Sequence, residues 1–433
     1  MIERYQTNLM SGLWSKEKKY DTWKHIEIFA CEANDNISQE IIDELWSKKT
    51  PISEQIEEEE LKTKHDLVAF LNVWTDGMSD EAKKYVHYNL TSSDIKDTAL
   101  VCIIKECINE LTQFYARPLM NQLWQQTQYN REVYYVARTH GKVAQEKSLG
   151  LVFLNWYAEL KRAVQKLELA EDNMFGKLSG PIGINKEFEE KALNALHLKV
   201  DPVPTQVISR DTFTDVIEGL ARISICLERI ALNIRLMNQS GIEEMSEQFS
   251  NSQVGSSAMP HKKNPVKSER ICGLSRIIRN YVPVIYENSV LWGDRDISHS
   301  SSEKVVFENA FHLVHFMLLE MQDIINNLKI HEENIQKNID DNFVYLNSEE
   351  IMNWLIDGVT DRKEAHEFIK SRCDEKIYEL ASSITSEFGY TTYEDDLINI
   401  DKRRKIKLKE NVDKIFGNIG GRNAIKEGSG SSK

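Results

Sequence analysis

Apolar side chains recur along this chain in steps of three and four residues over long stretches. Phe213, Ile217, Leu220, Ile223, Leu227, Ile230, Ile234 and Met237 form one series. Phe307, Phe311, Val314, Leu318, Met321, Ile325 and Leu328 form a second, and Phe153, Trp156, Leu160, Val164 and Leu167 a third. Such spacing keeps one stripe of a helix facing a partner over many turns. Prolines, which interrupt helices, are absent from Ile52 to Arg117, Leu119 to Gly180, Thr205 to Met259 and from Val284 onward. Alternating apolar and polar positions, the mark of a half-buried strand, do not run to any length. The pattern predicts an all-α protein with a central bundle of long helices.

The unusual segments fall at the ends of these predicted helices. Thr91, Ser92, Ser93 and Asp94 precede an apolar run and suit a helix N-cap. "VARTHGKVAQEKSLG" precedes the Phe153 helix, and "GSSAMPHKKNP" precedes a helix starting near Val266. The expected division is an N-terminal helical domain at 1–94, a long-helix bundle at 95–345 and a C-terminal helical domain at 346–426. The Gly/Ser-rich stretch 427–433 is expected to be disordered.

Composition narrows the function classes. Hydrophobic residues make up 41% and charged residues 28% of 433, as in an ordinary globular protein. The formal charge of −14 argues against a nucleic-acid partner, whose phosphates need a basic face. A small anionic ligand needs only a local cluster of cations. The opening "MIERYQTNLMSGLW" has no leader pattern, and no apolar run reaches the roughly 18 residues of a membrane span. The six cysteines lack CxxC spacing, so neither a zinc site nor a disulfide framework is expected, and reduced cytoplasmic thiols are the simplest reading. No metal or organic cofactor is expected, because HExxH, Cys/His ligand spacing and a GxxxxGK[ST] loop are all missing. Glu57 to Glu60 reads as a solvated helix face.

The segment "GSSAMPHKKNP", Gly255 to Pro265, gathers a glycine, two prolines, two serines and two lysines in a chain otherwise poor in glycine and proline. Spacing alone leaves two readings. One is a polar loop ending in an Asn cap with Pro at the first helical position. The other is a mobile loop that closes over an anion at a helix N-terminus.

The same segment resembles the signature loop of the fumarase/aspartase superfamily, Gly-Ser-Ser-x-Met-Pro-x-Lys-x-Asn-Pro, at every specified position. "MIERY", "KHDLVAF", "HYNLTSSDIKDTAL", "RTHGKVAQE", "GKLSGPIG", "TQVISRD" and "RDISHSSSE" are similar to segments of the adenylosuccinate lyase family, in that family's order. The likeness covers most of the chain and is least distinctive at the C-terminal end. It implies a long-helix bundle of the fumarase/aspartase type, forming a homotetramer with sites shared between chains. The implied reaction is β-elimination of fumarate from adenylosuccinate to leave AMP, with the matching step on the succinylated aminoimidazole carboxamide ribonucleotide of purine synthesis. The implied partner is thus a small nucleotide, with no nucleic acid and no membrane.

Site residues follow from the same resemblance. Ser256 would be the general base, acting as alkoxide, and His140 the general acid. A cation at 4 Å contributes about 4 kcal/mol at an effective dielectric of 20, so Lys262 alone does not ionise a serine. Loop N–H groups and expulsion of water on closure must add to it. His65 would orient substrate, and Glu269 would hold the charge of His140. Thr91, Ser92, Thr139, Gln206, Lys262 and Asn264 would surround the succinyl group; Arg4, Tyr5, Arg295, Ser300 and Lys304 would surround the nucleotide and its phosphate. Asp66, His87, Ser257, Met259 and Arg270 complete the candidate set. Apart from the resemblance, His140 reads more readily as a loop histidine than as an acid, His87 reads equally as a satisfied helix-end residue, and Arg270 reads as part of a solvated helix face. His312 and His315 sit in an apolar helix and read as structural. Two departures stand out: Lys304 replaces the family's usual arginine, giving a point charge in place of a bidentate fork, and "GPIGINKEF" differs from the usual G-x-V-G-T-Y. The alternatives are argininosuccinate lyase or aspartase chemistry, or a catalytically silent helical scaffold. Intact Ser256, Lys262, Asn264 and His140 argue against the last.

Overall fold

The computed structural model describes residues 2–249, 259 and 262–424. Ser256 and Ser257 lie outside the described residues, as does the 427–433 tail. Two compact units emerge, each assembled from three separate stretches of chain. The first comprises Met1–Met120, Glu159–Leu232 and Val266–Asp323; the second comprises Asn121–Ala158, Asn233–Pro265 and Ile324–Lys433.

The helices needed to place the site are α1 (Lys16–Glu32), α2 (Asp66–Thr75), α3 (Ser92–Asn109), α4 (Leu149–Asp172), α5 (Asp211–Met237), α6 (Val266–Asn288) and α7 (Ser298–Asn326). The three apolar series are buried along α4, α5 and α7, with the single exception of half-buried Leu328 just beyond α7. The all-α expectation therefore holds for the bulk of the chain.

Within the first unit these helices pack tightly. A Cβ on Gly219 of α5 would lie 2.9 Å from Leu167 Cδ1 of α4, so only glycine permits that approach. Phe213 of α5 meets Phe307 of α7 with ring centroids 5.8 Å apart. α6 and α7 run antiparallel: Arg270, on the first turns of α6, pairs with Glu320 near the end of α7 at 2.8 Å. α1 and α2 close over an aromatic cluster in which Tyr20, Trp23, Phe70 and Trp74 pack at 5.4–6.0 Å.

The second unit contains a feature that the sequence pattern does not predict. β1 (Tyr134–Thr139) and β2 (Lys142–Ser148) form an antiparallel hairpin, with Thr139 opposite Lys142. Tyr134, Tyr135 and Val136 are strand formers. His140 and Gly141 at the tip have φ of 55° and 75°, as a two-residue primed turn requires. The expectation that Thr139 and His140 end a long helix is corrected accordingly. Arg138 leaves this hairpin to pair with fully buried Glu244 at 3.1 Å. From the far side Arg404 bonds Glu146 of β2, with Asp401 and Asn347 each at 2.7 Å. The helices between Phe343 and Ala424 close on their own apolar cluster around Ile351, Leu355, Phe368, Leu380 and Leu397.

Candidate active site

The candidate residues fall into three groups, each at an element end. The first surrounds the start of α3. Thr91 precedes the helix, and its N–H donates to Asp94 Oδ2 at 2.7 Å. Ser92 opens the helix and Ser93 follows, buried. Arg295 Nη1 donates to Ser93 Oγ at 2.7 Å and to Gln206 Oε1 at 3.0 Å, while Gln206 Nε2 donates to the Pro181 carbonyl at 3.2 Å. Ser300 and Lys304 stand on the first turns of α7. Arg295, Ser300 and Lys304 line one cavity of about 400 Å³ with Ser93, Asp66 and Lys96. Two further lining residues, Asp97 and Glu303, share Arg210, which bonds Asp97 at 2.8 and 3.0 Å and forms an ion pair with Glu303 at 3.0 Å, all three nearly inaccessible.

At the start of α2, His65 caps the helix by accepting the Val68 N–H on Nδ1 at 3.3 Å. Asp66 accepts from Lys96 at 2.9 Å. Burial pushes the Asp66 carboxyl up, but the Lys96 ammonium, the Leu67 N–H and Lys19 together hold the group below its ordinary range. His87 adopts φ 61° and is held twice by buried Glu27, through its N–H at 2.9 Å and Nδ1 at 2.7 Å. Burial favours the neutral ring there, yet Glu27 prevails and raises the His87 pKa.

The second group lies at the opposite end of the α6/α7 pair. Arg4 and Tyr5 form a short 3₁₀ turn, and Tyr5 packs edge-on against Phe316 at 5.2 Å. Arg270 stands over the same Phe316 ring at 5.9 Å. Glu269, exposed, shares the first turn of α6. In sequence this helix follows directly on Met259, Lys262 and Asn264, of which Met259 and Lys262 are exposed. The third group is Thr139 and His140, exposed at the hairpin tip of the second unit.

A family profile described as "Lyase" matches residues 27–279. Adenylosuccinate lyase of Thermotoga maritima is 36% identical over 428 residues, spanning 96% of both chains. The enzyme of the same name from Bacillus subtilis is 33% identical over 437 residues, spanning 97% of this chain and all of that one. This chain belongs to the adenylosuccinate lyase family. It is therefore a lyase of the fumarase/aspartase superfamily. Two solved structures share the fold: a fumarate lyase from Mesorhizobium sp. BNC1, with TM-score 0.84, 19% identity and coverage of 95% and 98%, and β-carboxy-cis,cis-muconate cycloisomerase from Acinetobacter calcoaceticus sp. ADP1, with TM-score 0.81, 18% identity and the same coverage. At those identities the likeness concerns the fold alone.

For an adenylosuccinate lyase relative, the cavity holds cations that sequence reasoning passed over. Lys19 and Lys96 line it beside Lys304. Burial lowers the Lys19 pKa, and the nearby Lys304 and Lys96 ammonium groups lower it further. Lys19 lies in "KEKKY", which reads as an ordinary solvated run; only the fold of α1 turns it toward α7. No helix among the described residues is long and apolar enough to cross a membrane.

Proposed function

We propose that this chain cleaves adenylosuccinate to AMP and fumarate, and performs the same β-elimination on the succinylated aminoimidazole carboxamide ribonucleotide. The observation that carries this reading is the similarity to two adenylosuccinate lyases along nearly the whole chain. In the reaction a base takes the proton from the carbon beside a carboxylate. That electron pair forms the new C=C bond, and the C–N pair leaves with nitrogen, which receives a proton from the acid. Ser256 serves as base and His140 as acid, with Lys262 favouring the ionised serine and Glu269 the protonated histidine. The exposure of His140 at a hairpin tip suits a group that reaches into a site built elsewhere. His65, Thr91, Ser92, Thr139, Gln206 and Asn264 hold the succinyl end; Arg4, Tyr5, Arg295, Ser300 and Lys304 hold the phosphate end.

Sites shared between chains of a homotetramer are part of this proposal. Phe316, which carries Tyr5, stands about 24 Å along α7 from Ser300. One phosphate cannot touch both ends within one chain. The bundle at 95–345 is its oligomerisation core, flanked by domains at 1–94 and 346–426. Exposed Ile225, Leu232 and Leu236 on α5 support it, since they leave an apolar stripe for a neighbouring copy. The cytoplasm is the proposed location, supported by six cysteines, none of them in a disulfide.

The test is a fumarate-release assay on purified protein with adenylosuccinate, the carboxamide ribonucleotide and argininosuccinate. Release from the first two, unaffected by a chelator, is expected. Release from argininosuccinate alone would assign the chain to another reaction of the superfamily.

A further inference from the structure

A lysine and an aspartate with no accessible side-chain surface sit behind the start of α3. Lys177 Nζ bonds Asp94 Oδ1 and also donates to the Gly180 carbonyl at 2.8 Å. The same Asp94 carboxylate accepts the N–H of Thr91 at 2.7 Å and that of Gly180 at 3.1 Å. Thr98 of α3 ties down the Lys177 backbone, donating to its carbonyl at 2.8 Å and accepting its N–H at 3.1 Å. Gly180 has φ +77°, a conformation that glycine tolerates and other residues rarely adopt.

These bonds belong to a closed circuit. From Asp94 it passes to Gly180, then along the chain to Pro181, whose carbonyl holds Gln206. Gln206 holds Arg295, Arg295 holds Ser93, and Ser93 adjoins Asp94. Breaking a buried pair by removing one partner is strongly destabilising, whereas replacing both by apolar groups is often tolerated. An ion pair kept at such a place therefore calls for a reason beyond stability. Here the reason lies in what the pair touches: the backbone at Thr91, beside Ser92, and that of Gly180, next to the Pro181 carbonyl that holds Gln206.

The geometry points to Lys177 as a positioning residue for the succinyl end of the substrate. Acting through Asp94 and the Gly180 carbonyl, it holds the α3 start and the Gly180–Pro181 turn in the one register that presents Thr91, Ser92 and Gln206 together. It touches no substrate itself. The inference rests on the proposed function, because it takes those three residues as the succinyl anchors. Burial raises the Asp94 pKa despite the ammonium beside it, which fits a carboxylate that depends on its cation.

Equilibrium titration of the full-length protein with fumarate and, separately, with AMP tests this, alongside thermal denaturation. Lys177→Met is expected to weaken fumarate at least tenfold and AMP less than threefold, because of the phosphate contacts only Arg295 belongs to the circuit, whereas Ser300 and Lys304 lie on α7 outside it. The double variant Asp94→Asn/Lys177→Met is expected to regain most of the lost melting temperature without regaining fumarate affinity. Should Lys177→Met not fold, Asp94→Asn supplies the same comparison. Equal weakening of fumarate and AMP, or a double variant that recovers fumarate affinity with its stability, would make the pair merely structural and overturn the proposal. Unchanged fumarate affinity in folded variants overturns it too. Wild-type protein that binds neither product would overturn the functional reading, and this inference with it.

Discussion

Tyr5 packs against Phe316, whereas Ser300 opens the same helix about 24 Å away. Two parts of one expected phosphate site thus lie about 24 Å apart along α7 in a single chain. If sites are completed by neighbouring chains, Ser256→Ala and His140→Ala proteins, each nearly inactive, complement when dissociated, mixed and reassembled. With random mixing each segment comes intact half the time, so about a quarter of wild-type activity returns. Subunit exchange is verified by mass spectrometry of tagged chains. Activity that stays at the single-variant level after confirmed exchange refutes shared sites.

Lys304 lines the cavity with Arg295, Ser300 and Lys19. If it meets phosphate as a point charge, its contribution is equal in ground and transition states. Lys304→Ala then raises KM by tenfold or more and leaves kcat within about threefold, whereas Lys304→Arg is tolerated or binds tighter. Steady-state kinetics decide it, and an unchanged KM in the alanine variant removes Lys304 from the site.

His312 and His315 anchor the N-terminal segment through Thr7, whose N–H donates to His312 Nδ1 at 3.1 Å and whose hydroxyl meets His315 Nδ1 at 2.8 Å. Burial pushes both down to about 4, helped at His315 by its neighbour His312. Between that value and the ordinary 6.5 the unfolded chain binds protons that the folded chain refuses, so stability falls as pH drops through this window. The loss is of order 3 kcal/mol for one histidine at the acid end. Denaturation midpoints from pH 7 to 4 should show it, and a His312→Gln/His315→Gln variant should flatten the slope. An identical slope in that variant assigns the acid sensitivity to other groups.

Arg210 is shared by Asp97 and Glu303, two carboxylates of the cavity lining, and all three are nearly inaccessible. Arg210→Met leaves two buried carboxylates without their cation, and a loss of about 3–5 kcal/mol is expected. Urea denaturation measures it. A loss below about 1 kcal/mol would mean that water reaches the pair.

The sequence alone determined where the long helices run. Phe213 to Met237 and Phe307 to Ile325 bury the same stripe that their spacing predicts, because helical periodicity is local and survives in any context that offers a partner. It also named the segments that carry the candidate chemistry, since residue identity and order are enough for a resemblance. The hairpin under His140 was not legible: its strands are short and half-buried, and its turn depends on positive φ at a histidine that the chain pattern does not mark. Tertiary structure alone decided which distant charges meet. Lys177 reaches Asp94 across more than eighty residues, and Lys19 joins Lys304 across nearly three hundred. Such pairings follow the path of the whole chain. So does the separation of Tyr5 from Ser300, which no periodicity encodes because it is set by where an N-terminal turn finds two buried histidines to bind.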